Sequence, residues 1–108
     1  MPLALTVDVA PRADHITVTV TGELDMETCP DVTKITAALS LDGKTLTVDL
    51  SAVTFMDSSG LNALLRLRSR AQTEAASLRL AGVPDQALRV LDLTGTRQLF
   101  TLSPPPHG

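Results

Sequence analysis

The chain is nearly devoid of aromatic side chains: its 108 residues include Phe55 and Phe100 but no tryptophan or tyrosine. Since 44% of the residues are nevertheless hydrophobic, a core must be assembled from Leu, Val, Ile and Ala, as in a layered α/β or α+β domain. Cysteine is equally scarce. Cys29 stands alone, which excludes an intramolecular disulfide, and His15 and His107 lie far apart with no ligand-like spacing around them, so neither a metal nor another cofactor is expected. A basic excess is missing too. The net charge of −3 provides no positive field for a phosphate backbone, so no nucleic acid is expected as a partner. The opening "MPLALTVDVAPR" has no basic leader, and Asp8 cuts its apolar run short; both features argue against a signal peptide or a membrane span and for a cytoplasmic location.

What remains is one domain's length of chain with clear periodicities. "LALTVDV" and "HITVTVTG" alternate apolar residues with Thr or Asp around the turn-forming "APRAD", which predicts an antiparallel hairpin. Thr28, Pro30 and Asp31 read as a helix start, with Thr28 as its cap, and Cys29, Val32, Ile35 and Leu39 form the stripe behind it. "KTLTVDL" is a third strand. From Gly60 to about Ala75 a proline-free segment places Leu61, Leu64, Leu65, Ala71 and Ala75 on one helical face, with Arg68 laying its stem over the core. "SLRLAGV" is a further strand, Pro84-Asp85 opens a last helix that stops near Gly95, and "QLFTL" is a candidate edge strand. The order ββαβαβα(β) predicts an α/β (α+β) fold: a mixed four- to five-stranded sheet with helices mainly on one face. A single domain over 1–102 and a proline-rich flexible tail over 103–108 complete the expected organisation.

Chemistry concentrates in "VTFMDSSGLNALL", where the third strand gives way to the long helix. A serine or aspartate there can accept a hydrogen bond from the first helical turn, worth about 1 kcal/mol, and Asp57 and Ser58 are both suited to this capping role. Once one cap is made, further small polar residues are free for exposure, and Gly60 beside them would let another protein approach the backbone. A serine at a helix N-terminus is also a suitable phosphorylation site, since the positive end of the helix partly offsets the added charge. Nucleophilic chemistry finds no support. There is no G-x-S-x-G elbow, no well-placed histidine base and no Gly-rich phosphate loop, so the expected protein is not an enzyme and has no catalytic residues.

Three segments together, "TGELDMET", "LTVDLSAVTFMDSSGLNALL" and "LAGVPDQALRVLDLTG", resemble the anti-sigma-factor antagonist proteins of the STAS domain family. The likeness runs over almost the whole chain in the family's order, and "FMDSSGL" after "VDLS" is its most specific part. The resemblance implies a STAS-like fold and a bacterial partner-switching protein that regulates transcription. Unphosphorylated, such a protein binds an anti-sigma factor with serine kinase activity and releases a sigma factor; phosphorylation switches it off, and a serine phosphatase restores it. By the same resemblance Ser58 is the phosphorylated residue, and Asp25, Asp57, Ser58, Ser59 and Gly60 lie at the partner-binding end. Asp25 has an equally plain structural use, ending the second strand or helping to cap the first helix. Thr28 and Asn62 read as surface polar residues, Met26 and Met56 as core filling, and Cys29 as a small packed residue. Asn62 stands where a small residue often follows "GL" in the family, and "LTGTRQ" is more polar than expected there. The alternative implied by the family is a STAS subunit of a membrane lipid-transport ABC complex, which uses the same fold without a phosphorylation cycle.

Overall fold

The structure, a computed structural model, describes residues 5–105. In chain order it comprises β1 (Leu5–Pro11), β2 (His15–Leu24), α1 (Cys29–Ala37), β3 (Thr45–Met56), α2 (Ser58–Thr73), β4 (Ser77–Ala81), α3 (Asp85–Thr94), a 3-10 turn (Arg97–Leu99) and β5 (Thr101–Ser103). The order is that expected from the periodicities. Leu3 and Ala4 of the first predicted strand and residues 106–108 of the predicted tail lie outside the described residues.

The five strands form one sheet in the order β1-β2-β3-β4-β5. β1 and β2 make the antiparallel hairpin, and β2, β3, β4 and β5 are parallel neighbours. Each parallel step needs a crossover, and right-handed crossovers taken in sequence order all fall on the same face. α1, α2 and α3 are those crossovers. The face they cover is lined by Ile16, Val18 and Val20 of β2 and Leu46, Val48 and Leu50 of β3, which pack with Leu61, Leu64 and Leu67 of α2 and Leu91 of α3 in one core. The alternate residues Thr17, Thr19, Thr47 and Asp49 point the other way, and there His15 Nε2 lies 2.9 Å from Thr47 Oγ1.

β3 runs six residues beyond the predicted Leu50. Its pairing with β2 slips between Thr19 and Thr21, which face Asp49 and Ala52, and again between Gly22 and Glu23, which face Val53 and Phe55. At each slip β3 holds one residue more than its partner, as in a bulge. Leu50, Val53 and Met56 therefore point into the core at a spacing of three, while the residues between them are exposed. Gly22, at the second slip, has a φ of 109°, a conformation open to glycine.

Helix ends show how side chains join the layers. α2 ends at Thr73, earlier than predicted, because Ala75 turns left-handed with φ 55° and is exposed; Ala76 N–H closes the end by donating to Ala71 O at 2.7 Å. The Arg70 guanidinium reaches across to the carbonyls of Thr36 and Leu39 at the C-terminal end of α1, and its Nε donates to Glu74 Oε2 at 2.6 Å. Glu74 Oε1 in turn accepts the Leu41 N–H at 3.2 Å. Half-buried Arg68 lines the same shallow pocket as Phe100, and its Nε donates to Leu99 O at 2.8 Å. At the far edge Ser103 O still accepts the Gly82 N–H at 3.0 Å, so ordered pairing extends one residue into the predicted tail.

Candidate protein-binding site

The site is built where β2 and β3 leave the sheet side by side. Leu24 and Met56 are paired, and the Asp57 N–H donates to Leu24 O at 3.3 Å, so the acids that follow, Asp25 and Asp57, emerge at the same end. Both carboxylates act on the Cys29 thiol, whose pKa is raised first by burial and then by the charges of Asp57 and Asp25.

Asp57 holds the capping role. Its backbone is extended, and Oδ1 accepts the N–H groups of Ser59 at 2.8 Å and Gly60 at 3.2 Å. Ser58, the first residue of α2, is therefore not the cap; its side chain is exposed. Ser59 is half-buried and lines the groove described below. Gly60 serves a different purpose from the one expected. It is buried, and a Cβ there would lie 2.6 Å from Leu24 O and 2.7 Å from Met56 Cγ, so the missing side chain lets α2 lie against the strand ends and does not open the backbone to a partner.

Asp25 organises the other loop. Its Oδ1 accepts from Glu27 N at 3.0 Å and Thr28 N at 3.1 Å, and its carbonyl accepts the Cys29 N–H at 2.9 Å. Thr28 does not cap α1 with its side chain, contrary to the prediction. Its hydroxyl is buried, donates to Glu23 O at 2.7 Å and accepts the Asp25 N–H at 3.0 Å, so Thr28 ties the loop internally and is not a surface residue. Met26 is likewise displaced from its predicted place: it is 73% exposed, because the tight Asp25 turn throws it outward, while Met56 is core as expected.

A groove of about 520 Å³ runs between α1 and α2 from this corner. Met26, Cys29 and Ala63 give it apolar character, Ser59 and Asn62 line it beside the serine turn, and Lys34 and Arg66 supply positive charge. None of these is visible as a group in the sequence, because α1 and α2 contribute them from segments separated by a strand. A further residue that sequence reasoning missed is Gln86 of α3, whose side chain reaches the backbone of Met56, adjacent to the cap. No group of three or more His, Cys, Asp or Glu side chains fit to hold a metal occurs among the described residues, and no described helix is long and apolar enough to cross a membrane.

Comparison with known proteins bears on this arrangement. A family model described as "Mlab, STAS domain" matches residues 7–102. The anti-sigma-B factor antagonist of Bacillus subtilis is 27% identical over 104 residues, covering 96% of this chain and 95% of the relative. A STAS-domain containing protein of Pseudomonas aeruginosa is 30% identical over 95 residues, covering 86% of this chain and 94% of the relative. Among solved structures, an anti-sigma factor antagonist from Mycobacterium paratuberculosis superposes with a TM-score of 0.83 at 30% identity, covering 94% of this chain and 87% of that one. With a family model spanning nearly all of the described fold and a solved relative of the same architecture, the chain belongs to the STAS domain family.

Proposed function

We propose that this protein is an anti-sigma-factor antagonist, a non-enzymatic binding switch operating in the cytoplasm. In its unphosphorylated form it binds an anti-sigma factor that is also a serine kinase, which frees a sigma factor. Phosphorylation of Ser58 by that kinase ends the interaction, and a serine phosphatase reverses the mark. The observation that carries the reading is the division of labour at the turn: Asp57 caps α2, leaving Ser58 exposed at the helix start beside the groove. The names of the Bacillus subtilis and Mycobacterium paratuberculosis relatives support it.

The physical basis of the switch is local. A phosphoserine brings roughly −1.5 to −2 charges, and a helix N-terminus offers roughly half a positive charge in return. The helix therefore tolerates the mark, whereas the docking surface changes from neutral hydroxyl to dianion next to Asp57. Partner contact involves Asp25, Asp57, Ser58 and Ser59, with the α1–α2 groove extending the surface; Gly60 contributes by letting α2 pack closely.

The test is to recover the partner from native cells with this chain as bait, then incubate the pair with ATP and map the phosphate by peptide mass spectrometry. Phosphate on Ser58, absent in Ser58→Ala, with loss of the complex is the expected result. An active kinase that leaves Ser58 unmodified overturns the proposal. Recovery of a permease with an ABC ATPase would instead assign the chain to a transport assembly.

A further inference from the structure

β3 outruns its neighbour. Its ladder with β4 ends at the pair Asp49 and Ala81, yet the strand continues to Met56, just before the cap of α2. On the β2 side Met56 is paired with Leu24, but β4 has no residue left to meet it on the other. Gln86, the second residue of α3, fills that place. Its Oε1 accepts the Met56 N–H at 2.8 Å, and its Nε2 donates to the Met56 carbonyl, also at 2.8 Å.

A primary amide offers a donor and an acceptor from one planar group, as a backbone residue in a ladder does. Glutamine and its shorter homologue asparagine carry that pair side by side on one carbon. The Gln86 amide thus stands in for a missing strand residue and joins α3 to a backbone position two residues before Ser58. With Leu24 on one side and Gln86 on the other, the end of β3 is fixed laterally, and the direction in which Asp57 and Ser58 depart is fixed with it.

We infer that Gln86 is a positioning residue for the serine turn: its amide holds the end of β3 so that Ser58 is presented in the conformation a partner kinase engages. The inference rests on Ser58 being the modified residue. It places the control of that residue's presentation on α3, which contributes no residue to the groove between α1 and α2.

The test compares wild type with Gln86→Leu, which keeps bulk and loses both bonds, and Gln86→Glu, which keeps an acceptor and loses the donor. Native-state hydrogen exchange is read at the amides of Met56, Ser59 and Gly60, alongside global stability in urea and the phosphorylation kinetics of the co-purified kinase. Because two hydrogen bonds to one backbone unit are lost, exchange at Met56 in Gln86→Leu is expected to rise about tenfold or more beyond any change in global stability. Gln86→Glu is expected between the two. Loss of preorganisation raises the KM for the protein substrate several-fold while kcat stays within about twofold, since the bound geometry is regained at the expense of ordering. Unchanged exchange at all three amides in Gln86→Leu, or a fall in kcat with unchanged KM, overturns the inference. If the wild type accepts no phosphate on Ser58, the reading of Ser58 fails by itself, and the exchange data alone decide whether Gln86 holds the turn.

Discussion

Gly60 and Leu24 meet so closely that a methyl group on Gly60 would stand 2.6 Å from the Leu24 carbonyl oxygen. The contact joins the first turn of α2 to the end of β2, and the obstructing atom belongs to the backbone. Gly60→Ala is therefore expected to destabilise the fold. Overpacking costs about 1–3 kcal/mol, which exceeds the roughly 1 kcal/mol that alanine gains over glycine as a helix former. Urea denaturation checks this, and a mutant as stable as wild type would mean that α2 can shift freely from the strand ends.

Asp57 and Ser58 should separate cleanly in stability. Asp57→Ala removes the acceptor for Ser59 and Gly60 N–H and is expected to cost about 1 kcal/mol. Ser58→Ala alters an exposed side chain outside the cap and should stay within about 0.5 kcal/mol of wild type. Paired thermal melts of the two variants supply the comparison. Equal losses would return the capping role to the serine.

The link between Arg70 and Glu74 predicts a pH dependence. Glu74 is held below its ordinary value of 4.5, first by the hydrogen bond from Arg70; desolvation opposes this, and the Leu41 N–H and the Arg70 charge add to the lowering. A carboxyl depressed in the folded state binds protons more readily when unfolded. Its contribution to stability is present in full above 4.5 and fades as pH falls through the lower folded-state value. Urea midpoints of wild type and Glu74→Gln should accordingly differ at pH 6 and converge on acidification. A gap that widens toward low pH would contradict the assignment.

Cys29 reports on the two acids of the site. Burial, then Asp57, then Asp25 raise its pKa, which lowers its thiolate fraction and slows alkylation. Asp57→Asn removes the larger of the two acidic charge effects while keeping an amide oxygen for capping, so the native thiol should react faster with iodoacetamide than in wild type. Identical rates, at matched global stability, would show that Asp57 does not influence the thiol.

Much of the architecture is legible in the residues themselves. Alternation in β1, β2 and the first half of β3, the apolar stripe of α2, and the stop at Gly95 all arise from local periodicity and backbone preference, and the structure follows them. The last six residues of β3 escape because two bulges change the inward spacing from two to three, so Leu50, Val53 and Met56 do not resemble a strand. The proximity of Asp25 and Asp57 depends on the register that sets Leu24 opposite Met56, a relation between segments that no single segment encodes. Met26 and Thr28 occupy environments opposite to those their residue types predict for the same reason: the Asp25 turn, and not residue type, decides which of them faces water. Gln86 is the extreme case, an amide whose partner lies 30 residues earlier in the chain.

Strand order in the sheet follows strand order in the chain, and this has a consequence for synthesis. A ribosome delivers the N-terminal half first, and each new strand has its neighbour already waiting. Met56, Asp57 and Ser58 thus leave the ribosome ahead of Gln86, which follows 30 residues behind Met56. The nascent turn passes through a period in which Gln86 has not yet left the ribosome, and Ser58 is free of the tunnel before the bracing of its turn is complete in space.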